Sequence, residues 1–183
     1  PYESNFFKYF ALNFNRLKLK KLIATCYSGS PITGTQMSLF GDETEDEART
    51  PYKAVVTSVH DATGNGGIDM DDIAELFRIG ENSIERLDGD GDFRSMECLE
   101  LLDEADIVVT NPPFSLFREY VLQLINHDKR FVIIGPQSGT KYKETFPLIR
   151  DGKMWLGYGF ANGNAYFRIP DENARDYSAG VYN

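Results

Sequence analysis

The sequence has only two cysteines, two histidines and one tryptophan among 183 residues, and it lacks any long apolar run. Cys26 and Cys98 stand far apart without a CxxC partner, so neither a disulfide scaffold nor a cysteine-based zinc site is expected, and free thiols follow. His60 and His127 have no companions at metal-ligand spacing and read as ordinary surface or loop histidines. The longest apolar stretches, such as Phe131 to Gly135, fall far short of the ~20 residues that a helical span requires. No charged n-region followed by an apolar h-region opens the chain, and a soluble, cytoplasmic protein is expected.

Positive charge is also scarce. With 19 Lys and Arg against 28 Asp and Glu, the net charge is −9, which by itself argues against a protein that grips phosphates. Part of that acidity is local. The run Gly41-Asp42-Glu43-Thr44-Glu45-Asp46-Glu47 reads as a solvated loop, within a polar insertion over 31–52, and it leaves Arg16, Lys18, Lys20 and Lys21 as a basic cluster.

What is present is an alternation of helical and strand patterns. Ser4 or Asn5 can cap a helix through Phe6, Phe7, Tyr9, Phe10, Leu12 and Leu17. Within it Phe7, Phe10 and Phe14 are expected to be core. Lys21–Tyr27 and Tyr52–Val59 read as strands, and Gly64-Asn65-Gly66-Gly67 as a turn or loop, with no following Lys-Ser/Thr to make it a phosphate cradle. Asp71–Ile79 and Met96–Ala105 are helical in pattern, and Leu116–Asn126 is a strong amphipathic helix. Asp106–Thr110 and Phe131–Gly135 read as buried strands. Met154–Phe160 and Ala165–Ile169, parted by Ala161-Asn162-Gly163-Asn164, read as an antiparallel hairpin. The length allows one domain over 1–183, and the start at Pro1 without methionine suggests a chain cut from something longer. The expected fold is α/β, with a mostly parallel sheet covered on both faces and an antiparallel terminal hairpin.

The chemistry concentrates at Asn111-Pro112-Pro113-Phe114. The tetrapeptide follows an apolar strand directly, and the carboxyl ends of strands are where open α/β sheets bind ligands. Two prolines cannot continue a sheet, and they remove backbone donors, so nearby carbonyls can turn outward as acceptors. Asn111 adds a side-chain carbonyl. An exocyclic amine on adenine is a poor nucleophile because its lone pair is delocalised into the ring. Two acceptors on its N–H groups, the Asn111 side chain and the Pro112 carbonyl, favour a pyramidal nitrogen and stabilise the charge that develops as a methyl group arrives. Phe114 offers an aromatic face for a base extruded from the duplex. The bland alternative is a strand ending in a proline turn with Phe114 packed inward.

Here the sequence resembles the amino-methyltransferases with an (Asp/Asn/Ser)-Pro-Pro-aromatic motif, and more closely the EcoRI-type adenine-specific DNA methyltransferases. The similarity runs through Glu3-Ser4-Asn5-Phe6-Phe7-Lys8-Tyr9-Phe10, Gly91-Asp92-Phe93-Arg94-Ser95, Ala105 to Phe114, and Gly135-Pro136-Gln137. It implies a class I, Rossmann-like three-layer sandwich that uses S-adenosylmethionine and no metal. It also implies N6 methylation of adenine in double-stranded DNA, as the modification enzyme of a restriction system, by a monomer. Glu3, Asn5 and Phe6 would be the cofactor's first contacts, after a central strand preceding Pro1. Asp92 would accept from its adenine amine and Phe93 would line its ring. Cys26-Tyr27 is a departure, because Tyr27 stands where many relatives place an acidic residue for the ribose hydroxyls. Truncation at both ends, with the recognition region missing, is expected. A calcium loop over Asp88, Asp90 and Asp92 fails on spacing, which would require Gly at Phe93 and Glu at Leu99. Asp88 and Asp90 are solvated loop carboxylates on this reading. Competing functions are N-methylation of RNA bases or of protein glutamine, and a non-catalytic adenine-nucleotide-binding domain.

Overall fold

The structure, a computed structural model, describes residues 4–27 and 51–157. Contacts divide the chain into two compact units, Pro1–Gly139 and Thr140–Asn183.

In the first unit, helix α1 (Asn5–Leu12) leads to strand β1 (Leu22–Thr25), followed by β2 (Tyr52–Val56), α2 (Met70–Arg78), β3 (Ser83–Arg86), α3 (Met96–Glu104), β4 (Ile107–Thr110), α4 (Phe117–Asn126) and β5 (Arg130–Ile133). The expected helices and strands over these residues are present, with ends shifted by a few positions. β3 was not foreseen, because Ser83-Ile84-Glu85-Arg86 carries one apolar residue and no alternation.

The expected α/β content is present and β4 and β5 pair in parallel as expected, while the other described strands form a three-stranded antiparallel sheet in the order β1-β2-β3. The reversal at β3 has a local cause. α2 ends at Gly80, whose φ of +81° is the left-handed conformation that turns a chain away from a helix C-terminus. Asn82, 4% exposed, then clasps the end of β2: its Oδ1 accepts from the Thr57 and Ser58 N–H groups at 2.9 and 3.1 Å, and its Nδ2 donates to the Ser58 carbonyl at 2.9 Å. The chain therefore runs back along β2 rather than crossing over in parallel.

The core of this unit gathers Phe7, Ala11 and Phe14 from α1 and the turn after it, Ala54 and Val56 from β2, and Ile73 and Phe77 from α2. The rings of Phe7 and Phe77 stack at 6.4 Å. Phe7 and Phe14 are core as expected, while Phe10 is half-buried and packs edge-on against Tyr9. Both cysteines are free thiols.

The strand before Asn111 is less buried than its composition suggests. Ile107 on β4 is 52% exposed, and Val132 and Ile134 on and after β5 are 65% and 50% exposed. Along this pair Val108, Thr110, Phe131 and Ile133 are half-buried, whereas Ile107, Arg130 and Val132 are exposed.

The loop from Asp61 into α2 is held by two carboxylates. Asp61 accepts from the N–H groups of Gly64, Asn65 and Gly66. Asp72, fully buried, accepts from the Ala62 and Thr63 N–H groups, the Thr63 hydroxyl and the Asp69 N–H, while Asp69 returns the bond as the helix cap. Asp61, Asn65, Gly66 and Asp72 fall near the spacing of a calcium loop, but protein donors converge on these oxygens, the arrangement of a hydrogen-bonded clasp. The N–H bonds from Asp69 and Thr63 hold the Asp72 carboxyl below the usual carboxylate range. A depressed folded value means that the charge stabilises the fold above the unfolded value of about 4 and that this is lost as pH falls through the folded one. Asp72→Asn is therefore expected to melt several degrees below the native protein at neutral pH, with the gap narrowing on acidification. Parallel melts from pH 7 to 3 check this, and a constant gap contradicts it.

Among the described residues no helix is long and apolar enough to cross a membrane, and no group of three metal-ligating side chains comes together. His127 hydrogen-bonds Asp103 at 2.6 Å, and His60 lies 3.6 Å from Glu81, so both histidines face single carboxylates. Lys21 of the basic cluster pairs with Glu104 at 2.7 Å.

In the second unit, α5 (Phe146–Arg150) was not foreseen. Pro147 lies in its first turn, where a missing N–H is harmless. The hairpin expected over Met154–Phe160 and Ala165–Ile169 lies, beyond residue 157, outside the described residues, as do Glu3 and most of the 31–52 insertion. Tyr52, at the end of that stretch, begins β2.

Candidate active site

β4 delivers Asn111 at its carboxyl end, as the sequence predicts. The chain then turns through buried Pro112 and exposed Pro113 into a short 3-10 turn, Phe114–Leu116, which runs directly into α4. The flanking carbonyls are engaged: Thr110 O accepts from the Ile134 N–H at 3.1 Å, and Pro113 O accepts from the Leu116 N–H at 2.9 Å. Between them, the Asn111 side-chain amide and the Pro112 carbonyl have no hydrogen-bond partner among the described residues. Asn111 is exposed, so its amide is open to a ligand. Phe114 is 54% exposed, and the alternative in which it packs into the core does not hold.

Behind the tetrapeptide, the Phe117 ring is 5% exposed and is wedged against two glycines. A methyl group on Gly135 would overlap the ring, and one on Gly139 would lie 2.8 Å from it. Gly135→Ala should therefore cost about 1–3 kcal/mol by overpacking. Urea unfolding measures this, and an unchanged midpoint would show that the ring has room to retreat.

A second group of predicted residues comes together at the end of β1. Gly91 has a φ of +77°, and its Cα face rests on Cys26 and Tyr27: an added methyl would overlap the Cys26 carbonyl oxygen and sit 3.2 Å from the Tyr27 Cα. This close approach brings exposed Tyr27 beside the Asp92-Phe93 loop, which sequence reasoning paired only through the family. The Asp92 N–H is held by Asp90 Oδ1 at 2.9 Å, so Asp90 has a role within the loop.

Asp92 receives a two-pronged contact from Arg94, with Nε donating to Oδ1 at 2.8 Å and Nη2 donating to Oδ2 at 2.6 Å, and the Arg94 N–H adds a third bond at 2.9 Å. These bonds hold the Asp92 carboxyl down to about 2. It is thus a carboxylate throughout the neutral range, and while Oδ1 already accepts two bonds from Arg94, Oδ2 keeps a further lone pair for a donor. The Arg94 guanidinium also stands 5.3 Å from the centre of the Phe93 ring. Phe93 is half-buried, and its other neighbour is Tyr120, with ring centres 4.8 Å apart. Arg94 and Tyr120 were missed from sequence. Arg94 lies inside a quoted block, but nothing there marks its pairing, and Tyr120 reads as one more residue of an amphipathic helix.

Asn5 is exposed at the start of α1 and Phe6 is half-buried. Among the described residues no hydrogen bond or ring contact ties either to the Asp92 loop. An open cleft of about 540 Å³ lies beside that loop, lined by Lys53, Asp88, Ser95, Met96, Glu97 and Leu101, and it includes none of the tetrapeptide.

The end of β4 thus carries two unengaged acceptors beside an aromatic face, and the loop against the end of β1 carries a fixed carboxylate. Residues 1–182 match the family described as adenine-specific methyltransferase EcoRI, and the chain belongs to that family. It is 43% identical over 171 residues, 93% of this chain and 46% of the relative, to the Type II methyltransferase M.EcoRI of Escherichia coli. It is 32% identical over 155 residues, 85% of this chain and 37% of the relative, to the Type II methyltransferase M.MgeORF184P of Mycoplasma genitalium. A third relative, the Type II methyltransferase M.MpnI of Mycoplasma pneumoniae, is 31% identical over 169 residues, 92% of this chain and 40% of its own length. The chain thus spans less than half the length of these curated relatives. No solved structure matches it.

Proposed function

We propose that the protein of which this chain is part transfers a methyl group from S-adenosylmethionine to the N6 amine of adenine in double-stranded DNA, as the modification enzyme of a restriction system. The observation that carries this reading is the pair of unengaged acceptors at Asn111 and Pro112, set at a strand end beside exposed Phe114. Family membership supplies the substrate class. The relatives named as Type II methyltransferases share most of this chain.

The residues fit the cofactor the family implies. The missing side chain of Gly91 lets the Asp92 loop close directly on the Cys26-Tyr27 backbone, and Asp92 is a permanent acceptor suited to an adenine amine. Tyr27 and Phe93 would contact the nucleoside, and Glu3, Asn5 and Phe6 would complete the site. When bound, the cofactor supplies an electrophilic methyl on a sulfonium, which needs no metal. The chain's own residues then have three tasks. Phe114 stacks the extruded base. Asn111 Oδ1 and the Pro112 carbonyl accept the two N–H hydrogens of the amine and favour a pyramidal nitrogen. The fold holds nitrogen, methyl carbon and sulfur in line.

On this reading the complete sheet is the class I, Rossmann-like sandwich, the protein acts as a monomer, and it works in the cytoplasm. Incubating the full-length protein with labelled cofactor and separate DNA, RNA and protein pools tests the proposal. Label in DNA, recovered as N6-methyladenine, is expected. Label confined to RNA or to glutamine side chains overturns the DNA assignment, and cofactor binding with no labelled pool favours a binding module.

A further inference from the structure

The Asp92 carboxylate is gripped through both of its oxygens. Arg94 Nε and the Arg94 N–H donate to Oδ1 at 2.8 and 2.9 Å, and Arg94 Nη2 donates to Oδ2 at 2.6 Å. The guanidinium is itself steadied, because its Nη1 donates to Glu119 Oε1 of α4 at 3.4 Å and it stands 5.3 Å from the centre of the Phe93 ring. The backbone between the two residues is tied to the same helix, with Gln123 Nε2 donating to the Phe93 carbonyl at 2.9 Å. An aspartate side chain turns about two bonds, and a two-pronged contact fixes both. The Arg94 side chain is 48% exposed and that of Asp92 19%. An ion pair so open to water adds little to stability, so the fork matters for what it does to the carboxylate.

Resting on the S-adenosylmethionine reading above, we propose that Arg94 is a positioning residue that sets base selectivity at the cofactor site, by holding Asp92 as a single fixed acceptor for one N–H of an adenine amine. A carboxylate offers about four acceptor positions. Arg94 fills two on Oδ1 and one on Oδ2, which leaves the last on Oδ2. One position takes one donor. It does not suit a pair of ribose hydroxyls, which would call on both oxygens, and a carboxylate that cannot turn away repels a base carrying a carbonyl where adenine carries its amine. Arg94 acts through Asp92, and the selectivity belongs to the pair.

The test uses the full-length protein and two nucleosides that differ only in the base, S-adenosylhomocysteine and S-inosylhomocysteine, in which a carbonyl replaces the amine. Calorimetric Kd values at neutral pH are expected to favour the adenosyl form by about a hundred-fold in the native protein. Arg94→Met and Arg94→Lys should each cut that preference by about ten-fold through weaker adenosyl binding, with the inosyl Kd unchanged within about two-fold. Asp92 stays ionised at neutral pH without its partner, since an ordinary aspartate titrates near ~4, and lysine keeps the charge but not the fork. An equal effect of both variants therefore reads orientation and not charge. Adding Arg94→Met to Asp92→Asn should cost no further selectivity, because Arg94 works only through that carboxylate. Native preference in either variant overturns the inference, and so does an equal loss of both nucleosides, which marks mere support of the loop. If Arg94→Met fails to fold, Arg94→Lys decides by the same criteria. A native protein that does not distinguish the two nucleosides also overturns it. One that prefers the adenosyl form yet labels no DNA, RNA or protein defeats the methyl-transfer reading and leaves the role of Arg94 standing.

Discussion

Replacing Asn111 by alanine is expected to reduce methyl transfer by roughly a hundred- to a thousand-fold, the usual effect of deleting one group aimed at developing charge, while cofactor affinity stays within a few-fold of native. The expectation follows from where Asn111 sits. Its side chain is exposed and makes no hydrogen bond among the described residues, so alanine there leaves no buried group unsatisfied and gives the fold little reason to change. The lost acceptor would matter only when an amine approaches and begins to acquire positive charge. Single-turnover transfer from enzyme preloaded with cofactor separates this from weakened binding, and an Asn111→Ala enzyme that transfers at the native rate would remove the amide from the mechanism. Asn111→Asp is a sharper companion. It keeps an acceptor of the same reach, and retention of measurable activity is expected, in contrast to alanine.

The second large effect is expected at Gly91. Alanine at a φ of +77° carries an intrinsic penalty of about 1–2 kcal/mol, and the new methyl would overlap the carbonyl oxygen of Cys26, a backbone atom that cannot rotate aside. Together these should cost about 2–4 kcal/mol in urea unfolding. The strain has one ready outlet, which is to push the 88–93 loop away from the end of β1. That would part Tyr27 from Asp92, so cofactor affinity should fall more than stability alone accounts for. Native affinity together with a native unfolding midpoint would show that the loop closes some other way. A Gly80→Ala variant is a useful control, since it has a comparable φ of +81° with open space around it.

Much of the local structure was legible because it depends on neighbours in sequence. The apolar spacing in 5–12, 70–78, 96–104 and 117–126 marks helices, and the runs 22–25, 107–110 and 130–133 mark strands. The tetrapeptide was legible for the same reason, since two prolines after an apolar run leave few options for the backbone. Strand direction was not. Whether β2 and β3 run parallel or antiparallel is decided by Gly80 and by the bonds of Asn82 to the Thr57–Ser58 corner, contacts about two dozen residues apart that no periodicity announces. The covering of β4 was misread because Ile107 and Val132 are apolar by type, whereas their exposure depends on what lies against them. The site divides in the same way. Asn111, Asp92 and Phe93 could be named from the chain, but the fork of Arg94 on Asp92 and the packing of Tyr120 on Phe93 arise from side-chain directions that only the folded backbone fixes.

The wedge of Phe117 between Gly135 and Gly139 binds three positions into one heritable unit. The ring fills the volume that a side chain at either glycine would occupy, so a lineage can enlarge 135 or 139 only by first, or simultaneously, shrinking 117. Because 117 opens α4 and 135 follows β5, the path by which this protein could change at either glycine runs through the first residue of that helix.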